Sequence, residues 1–414
     1  MPPPLPNASP IWWFALGREP LLSSVEIRAR LPDSAYEEIN GAVFKLGSAS
    51  QFDSAKLIRQ LGGTIKIAEE LGRDLTETAM LKAMVKTLER PAGKITFGIS
   101  FYNSQDTNNN KQIERWGKKI KEKLRAEGRA VRYVFKNETV LSSATVAQNN
   151  LDTAGSEFLV TRGATGLAVA ATRAVQPFKD LSARDYGRPR RDDKSGMLPP
   201  KLAMMMINIA TASPPKYQIL NTKYQILDPF CGSGTILTEA LLLGYKNIIG
   251  CDLSDKAIED TKKNIAWTQN SLTMEPWNSG TIQLFQSDIR DLSRKLSAHS
   301  MDAIVTEPYL GPPLTGQETG EHIRKNISEL TDLYLAAFQE FKRILKPAGV
   351  VVFLIPRFFV NGKWLTISDQ LAPRIKKLGF TSEPLLPETL HSQPFLLYHR
   401  PGQRVGREVW KFKF

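Results

Sequence analysis

The stretch Asp228-Pro229-Phe230-Cys231-Gly232-Ser233-Gly234-Thr235 constrains this chain more than any other. An apolar run, Tyr224 to Leu227, precedes it, and a helical run, Ile236 to Leu243, follows. The order is strand, glycine turn, helix. The two glycines remove side chains where a ligand must touch backbone. The helix N-terminus offers free N–H groups and the positive end of its dipole. About 20 residues on, a second apolar strand, Asn247 to Cys251, ends in Asp252, whose carboxylate can take both hydroxyls of a ribose. These features describe a pocket for a nucleoside-bearing cofactor.

A dinucleotide site would carry the third glycine of G-x-G-x-x-G, with a pyrophosphate on the helix. Leu237 stands at that position, and the turn is introduced by D-P-F-C. The string resembles the D-P-F-x-G-S-G-T motif of S-adenosylmethionine-dependent methyltransferases, whose cofactor has no phosphate, so the loop needs closeness more than anion binding. The resemblance implies S-adenosylmethionine contacts from Asp228 at the methionine end, from Phe230, Gly232, Gly234 and Thr235 in the turn, and from Asp252 and Leu253 at the ribose. Thr281 to Gln286 reads as a third strand ending at Ser287-Asp288. In the resembling fold an acid here caps the adenine amine, with Ile289 beside it. Met301 to Thr306 is a fourth strand, running into Glu307-Pro308-Tyr309-Leu310-Gly311. A long amphipathic helix, Ile327 to Leu345, and an apolar strand, Val350 to Ile355, follow. Strands alternating with helices argue for an α/β, mostly parallel, doubly wound sheet of Rossmann-like type. Ligands of such sheets bind at the C-terminal strand ends, where Asp228, Asp252, Asp288 and Glu307 all fall.

At 414 residues the chain has room for two or three domains, and 42% hydrophobic residues support sizeable cores. The formal net charge of +13 favours a polyanionic partner or an acidic surface. Cys231 and Cys251 are the two cysteines, both at expected cofactor-side strand ends. That is no disulfide framework, and it fits a reducing cytoplasm. His299, His322, His391 and His399 form no ligand pattern, and no metal is expected. The opening MPPPLPNASP lacks the basic residues and apolar core of a signal peptide, and no apolar run reaches membrane-spanning length.

Residues before 200 hold no Gly-rich phosphate loop. Short elements alternate there: strands at Ile11 to Leu16, Ala42 to Leu46 and Thr64 to Ala68, and helices at Leu21 to Leu31, Ala55 to Leu61 and Glu77 to Glu89. The alternation predicts an α+β, ferredoxin-like module. A second unit begins with the strand Ile95 to Tyr102 and a polar loop, Asn103 to Asn110. A helix follows with Ile113, Trp116, Ile120 and Leu124 at helical spacing. Then come the strand Val131 to Phe135 and a hairpin of Glu157 to Arg162 with Gly166 to Thr172. The remaining positions of that helix carry Lys111, Arg115, Lys118, Lys119, Lys121, Lys123 and Arg125, against the acids Glu114, Glu122 and Glu127. With Arg129, Arg132 and Arg173 nearby, this surface is a candidate for tracking an RNA phosphate backbone. A solvated amphipathic helix is the alternative.

The opening WWFALGREPLLSSVEIRA resembles the "F-x-L-G-x-x-P-x-L-S-x-x-E" start of archaeal and eukaryotic THUMP-containing tRNA guanosine N2-methyltransferases. LGGTIKIAEEL, GISFY, RYVF, LSSATVAQNNL, GSEFLV and the connector RDYGRPRRDDKSGMLPPKLAMMMINIA follow the same family order. The resemblance runs from about Ile11 to beyond Gly349. It implies a ferredoxin-like domain at 1–92, a THUMP domain at 93–175 that binds the tRNA acceptor end, a linker at 176–196 and a methyltransferase domain at 197–414. It also implies methylation of guanosine 10 of tRNA on its exocyclic amine. Eukaryotic members work with a small zinc-binding activator; these residues are silent on such a partner.

The family's catalytic string is T-D-P-P-Y-G, and here it is Thr306-Glu307-Pro308-Tyr309-Leu310-Gly311. Aligned without a gap, Glu307 takes the acid place. Aligned on the aromatic, Tyr309 is retained and the acid place falls on Thr306. In the simpler, gapless version the target amine donates to the Glu307 carboxylate and the Pro308 carbonyl, and Tyr309 stacks on an extruded base. A DNA or ribosomal RNA amino-methyltransferase shares this logic. A non-catalytic protein that binds tRNA and cofactor is the alternative of a different class.

Overall fold

The computed structural model describes residues 10–32, 34–39, 42–47, 52–89, 93–102, 109–191, 197–212, 224–271, 281–360, 362–400 and 402–414. The proline-rich opening, most of the Asn-rich loop and residues 192–196 of the connector lie outside the described residues. The chain divides into two compact units, one of residues up to Ser24 with Leu31–Lys179, the other of Val25–Arg30 with Asp180–Phe414.

The first unit carries strands β1 (Ile11–Leu16), β2 (Ala35–Ile39), β3 (Val43–Gly47), β4 (Thr64–Leu75), β5 (Ile95–Tyr102), β6 (Val131–Val134), β7 (Ser156–Arg162) and β8 (Leu167–Val175). Helix α1 (Pro20–Arg30) follows β1. The further helices are α2 (Ser54–Gln60), α3 (Glu77–Leu88), α4 (Asn109–Ala126) and α5 (Ser143–Gln148). Among the described residues the strands form one sheet in the order β2-β3-β1-β4-β8-β7-β5-β6. The two modules expected at 1–92 and 93–175 therefore share a sheet. Its join is β4, which pairs with β1 on one side and β8 on the other and runs seven residues beyond the expected Ala68. The charged residues of that extension disguised it, because each carboxylate has a partner. Glu69 pairs with Arg173 of β8 at 2.8 Å, and Glu70 accepts from the Trp13 indole at 2.7 Å and from Arg73 at 2.6 Å. Paired charges lose the penalty that keeps acids out of strands.

Helix α4 packs as its spacing predicts. Ile113, Trp116, Ile120 and Leu124 are buried with Phe97, Phe101 and Phe158 of the sheet. Gly117 lets the Tyr133 ring lie against the helix, since a Cβ there would meet that ring at 2.1 Å. Under the sheet's other region Lys66 and Glu157 form an ion pair at 2.5 Å, both side chains fully buried.

In the second unit the connector forms α6 (Phe178–Ser182), beginning in the first unit's last residues, and a π-helical turn at Ala183–Gly187. Helices α7 (Pro200–Ala210), α8 (Thr235–Leu242), α9 (Asp255–Ser271), α10 (Leu292–Lys295), α11 (Gly320–Ile344) and α12 (Ser368–Lys377) alternate with strands. The strands are β9 (Gln225–Asp228), β10 (Asn247–Asp252), β11 (Thr281–Gln286), β12 (Met301–Thr306), β13 (Leu345–Val360), β14 (Lys363–Thr366), β15 (Thr381–Ser382), β16 (Leu396–Tyr398) and β17 (Val405–Lys413). The sheet order is β11-β10-β9-β12-β13-β17-β15, with β14 on β13 and β16 on β17. β9 to β13 are mutually parallel where paired, and β17 lies antiparallel against β13. The chain leaves β9 first towards β10 and later crosses back to β12, so a switch point opens beside β9, where such sheets hold ligands. α11 begins seven residues earlier than expected because the Thr319 hydroxyl caps it, accepting from the His322 N–H at 3.2 Å. Its buried Tyr334, Phe338 and Phe341 cover Phe353 of β13.

Candidate active site

A cleft of about 600 Å³ lies at the C-terminal ends of β9, β10, β11 and β12. Asp228, Phe230, Gly232, Thr235, Asp252, Leu253, Asp288, Ile289, Glu307, Pro308 and Tyr309 all line it. Gly234 does not. It is the N-cap of α8 with φ +82°, and a Cβ there would meet the Thr261 side chain of α9 at 2.8 Å. The close approach of Thr261 gives this glycine a packing requirement, while its neighbours Ser233 and Thr235 line the cleft. Gly232 has φ +51°, and a Cβ on it would meet nothing within 4 Å, so its requirement is the left-handed turn and a bare wall to the cleft.

The turn is held from behind. The Thr261 hydroxyl donates to the Gly232 carbonyl at 2.8 Å, and the Asn264 amide donates to the Ser233 carbonyl at 2.8 Å. Asn264 also exchanges hydrogen bonds with the backbone of Arg190, at 2.9 and 3.0 Å. Arg188 donates to the Thr235 hydroxyl at 2.6 Å, and Arg184 pairs with Glu239 at 3.1 Å. Burial pushes Glu239 up to about 7, against the pull of Arg184 and Arg188. Residues 184–190, expected as part of a linker, thus belong to the support of the glycine turn. Cationic side chains in a connector gave no sign of where they would anchor.

The acids take distinct settings. The Asp252 carboxylate accepts from the Gly232 N–H at 2.9 Å and the Ser254 N–H at 3.0 Å, which aims it at the turn. Asp288 accepts from the Arg290 N–H at 2.9 Å and pairs with its guanidinium at 3.2 Å. Asp228 is buried and pushed up to about 7 by that burial, although the Thr306 hydroxyl, at 2.7 Å, and the Phe230 N–H favour its ionised form. Asp252→Ala is expected to weaken S-adenosylmethionine binding at least tenfold, since charge-assisted bonds are worth about 1.5–3 kcal/mol each. Calorimetry showing wild-type affinity would refute the ribose assignment.

Thr306 is fully buried and occupied with Asp228, whereas Glu307 lines the cleft. The Glu307 carboxylate accepts from Arg407 Nε of β17 at 2.5 Å, both side chains largely buried. Burial raises the Glu307 carboxyl above its ordinary value, and Arg407 pulls it back. Sequence reasoning missed Arg407. Tyr309 is 56% exposed, and its backbone carbonyl accepts from the buried Tyr334 hydroxyl at 2.7 Å, which steadies the loop beneath an outward ring.

On the first unit several of the expected basic residues have acidic partners. Arg115 and Lys119 both pair with Glu77 of α3, at 2.7 and 2.8 Å, and Lys118 pairs with Glu114 at 2.7 Å. The Lys119 ammonium holds the Glu77 carboxyl below its usual range. The sequence count weighed acids within α4 alone, and Glu77 lies on a neighbouring helix. The Arg129 guanidinium lies 3.5 Å from the Glu89 carbonyl, while Lys111 and Arg132 are exposed.

Residues 188–359 match a family model described as an RMKL-like methyltransferase domain, and residues 101–263 match one described as a DNA methylase. The second unit carries a methyltransferase domain. A probable tRNA (guanine(10)-N2)-dimethyltransferase of Methanothermococcus thermolithotrophicus is 29% identical over 38% of this chain and 80% of its own length. The tRNA (guanine(10)-N2)-dimethyltransferase of Methanothermobacter thermautotrophicus is 31% identical over 33% of this chain, a match spanning only 34% of that relative. The crystal structure of TrmN from Thermus thermophilus superposes with a TM-score of 0.54 over 97% of this chain and 99% of its own, at 17% identity. That likeness extends the Rossmann-like methyltransferase fold with a preceding domain to the whole chain.

Proposed function

We propose that this chain transfers a methyl group from S-adenosylmethionine to the exocyclic amine of a guanosine in tRNA, of the position-10 type. The observation that carries the reading is that Glu307, Pro308 and Tyr309 line the same cleft as the glycine turn, Asp252 and Asp288. The relatives named above support the choice of base and RNA.

The cleft suits S-adenosylmethionine. Its wall is bare at Gly232, and its acids sit at the ends of adjacent parallel strands. When bound, the cofactor supplies a methyl group already activated by positive charge. The chain's task is alignment. Asp252 takes the ribose hydroxyls, Asp288 with Ile289 the adenine, and Asp228 the methionine end. Glu307 and the Pro308 carbonyl accept the two N–H bonds of the target amine, which turns its lone pair towards the methyl group and favours the charge growing on nitrogen. Tyr309 offers its exposed ring to a base drawn out of its stem.

The first unit is read as the RNA-holding part, its ferredoxin-like and THUMP portions meeting at β4 and receiving the acceptor end. Lys111, Lys123, Arg125 and Arg132, all exposed, are the residues of the expected surface best placed to track phosphates. No helix of the described residues is long and apolar enough to cross a membrane, and both cysteines are free and buried. A cytoplasmic site of action is part of the same proposal.

Mass spectrometry of nucleosides from tRNA incubated with the chain and S-adenosylmethionine should show N2-methylated guanosine. The match of residues 101–263 to a DNA methylase favours a second reading, an amino-methyltransferase of DNA. Methylated adenine or cytosine in duplex DNA, with tRNA untouched, would establish that reading instead. Cofactor binding without transfer to any of these acceptors would mark a non-catalytic protein.

A further inference from the structure

We infer that Arg407 is the positioning residue of the methyl-acceptor site, setting the direction and the charge state of the Glu307 carboxylate. This rests on the reading of Glu307 given above. The two residues stand 100 positions apart and meet at 2.5 Å through Arg407 Nε and Glu307 Oε1. Arg407 lies on β17 opposite Pro356 of β13, and β13 in turn borders β12, whose end carries Glu307. The next residue, Glu408, does not compete for the guanidinium's role. Its carboxylate takes the Thr366 hydroxyl at 2.8 Å and the Trp410 indole at 3.0 Å.

The need for such a partner follows from the residue at 307. A glutamate has one more rotatable bond than an aspartate, so its carboxylate needs an external hold to be fixed. An arginine Nε–H to a carboxylate is a short, charge-assisted bond of defined direction. The side chains are only 8% and 13% exposed, so solvent screens the pair little. A carboxyl in such a place without a cation takes up a proton. It would then present an O–H donor to an amine that needs an acceptor. The charged and titratable groups that interact with Glu307 are Arg407 from β17, Asp228 from the end of β9 and Tyr334 from α11. Arg407 is the one cation among these three. It therefore opposes the burial of Glu307.

The test compares Arg407→Met, Arg407→Lys, Glu307→Gln and the double variant Glu307→Gln/Arg407→Met in the full chain. Single-turnover methylation of tRNA is measured against pH, together with S-adenosylmethionine affinity. The Glu307 side-chain carboxyl is followed separately by 13C NMR, its signal assigned by loss in Glu307→Gln. Arg407→Met is expected to slow transfer at least tenfold near neutrality and to move the acid limb upward by about one pH unit, at unchanged cofactor affinity. The carboxyl titration should move with it. Arg407→Lys keeps the charge and loses the Nε direction, so its acid limb should stay in place while the rate falls severalfold. The double variant should be no slower than Glu307→Gln. Multiplying losses in the double variant, or an unmoved carboxyl titration in Arg407→Met, would overturn the inference. Should Arg407→Met fail to fold, a wild-type rate in Arg407→Lys decides against it equally. Absence of methylation by the wild type would sink only the functional reading, because the carboxyl titration needs no turnover.

Discussion

Glu307→Gln is expected to lower the single-turnover rate by about 10²–10³-fold, as loss of one electrostatic stabiliser does, and to leave cofactor and tRNA affinity nearly unchanged. The substitution keeps the side chain's size, removes its negative charge and exchanges an acceptor oxygen for an NH2. The acceptor matters most when charge grows on the attacking nitrogen, so the loss should fall on turnover and spare binding. Glu307→Asp tests the geometry from the other side. It restores the residue of the resembling family but shortens the arm by a methylene, pulling the carboxylate back from Arg407 Nε, now 2.5 Å away. Recovery of full activity in Glu307→Asp would show that the reach to Arg407 is immaterial. Thr306→Ala should act differently, since that hydroxyl serves Asp228. A wild-type rate in Glu307→Gln with abolished transfer in Thr306→Ala would transfer the acceptor role away from Glu307.

Lys66→Met is expected to destabilise the first unit by about 3–5 kcal/mol, the cost of breaking a buried pair from one side. Lys66 and Glu157 are both fully buried, and every polar atom of the pair has company. The ammonium donates to Glu157 at 2.5 Å and to the Leu141 carbonyl at 2.6 Å; Ser100 and Thr172 donate to the same carboxylate at 2.5 and 2.7 Å. Methionine matches the lysine stem but strands the carboxylate among two hydroxyls. Calorimetry of the full chain should show one transition lowered by about 10 °C, at roughly 2–4 °C per kcal/mol for a unit of this size. Lys66→Met/Glu157→Leu should regain a large part of the loss, because it removes the stranded charge as well. A single variant as stable as the wild type would refute the expected cost of the stranded carboxylate.

The features legible in the sequence are those written within one element or across one turn. The glycines of 232–234, the apolar runs on either side and the strand-end acids specify strand, turn and helix, because backbone geometry is set by near neighbours. The buried face of α4 was readable for the same reason: Ile113, Trp116, Ile120 and Leu124 recur at the helical period. The strand-end positions of Asp228, Asp252, Asp288 and Glu307 then followed from the rule that parallel sheets hold ligands at their C-terminal edge.

What the tertiary structure alone decided is which charges meet. Glu307 finds Arg407 because β17 returns antiparallel beside β13, and no periodicity links positions 100 residues apart. Glu77 pairs with Arg115 and Lys119 from a neighbouring helix, and Arg188, in a segment that read as a linker, joins Asn264 of α9 in securing the glycine turn. Gly234 has a packing requirement that its residue type alone did not reveal, because the neighbour, Thr261, comes from another helix. Local pattern dictates backbone shape, which is short-ranged; partnership among ionised side chains depends on register between distant strands and on the burial that makes such pairing obligatory.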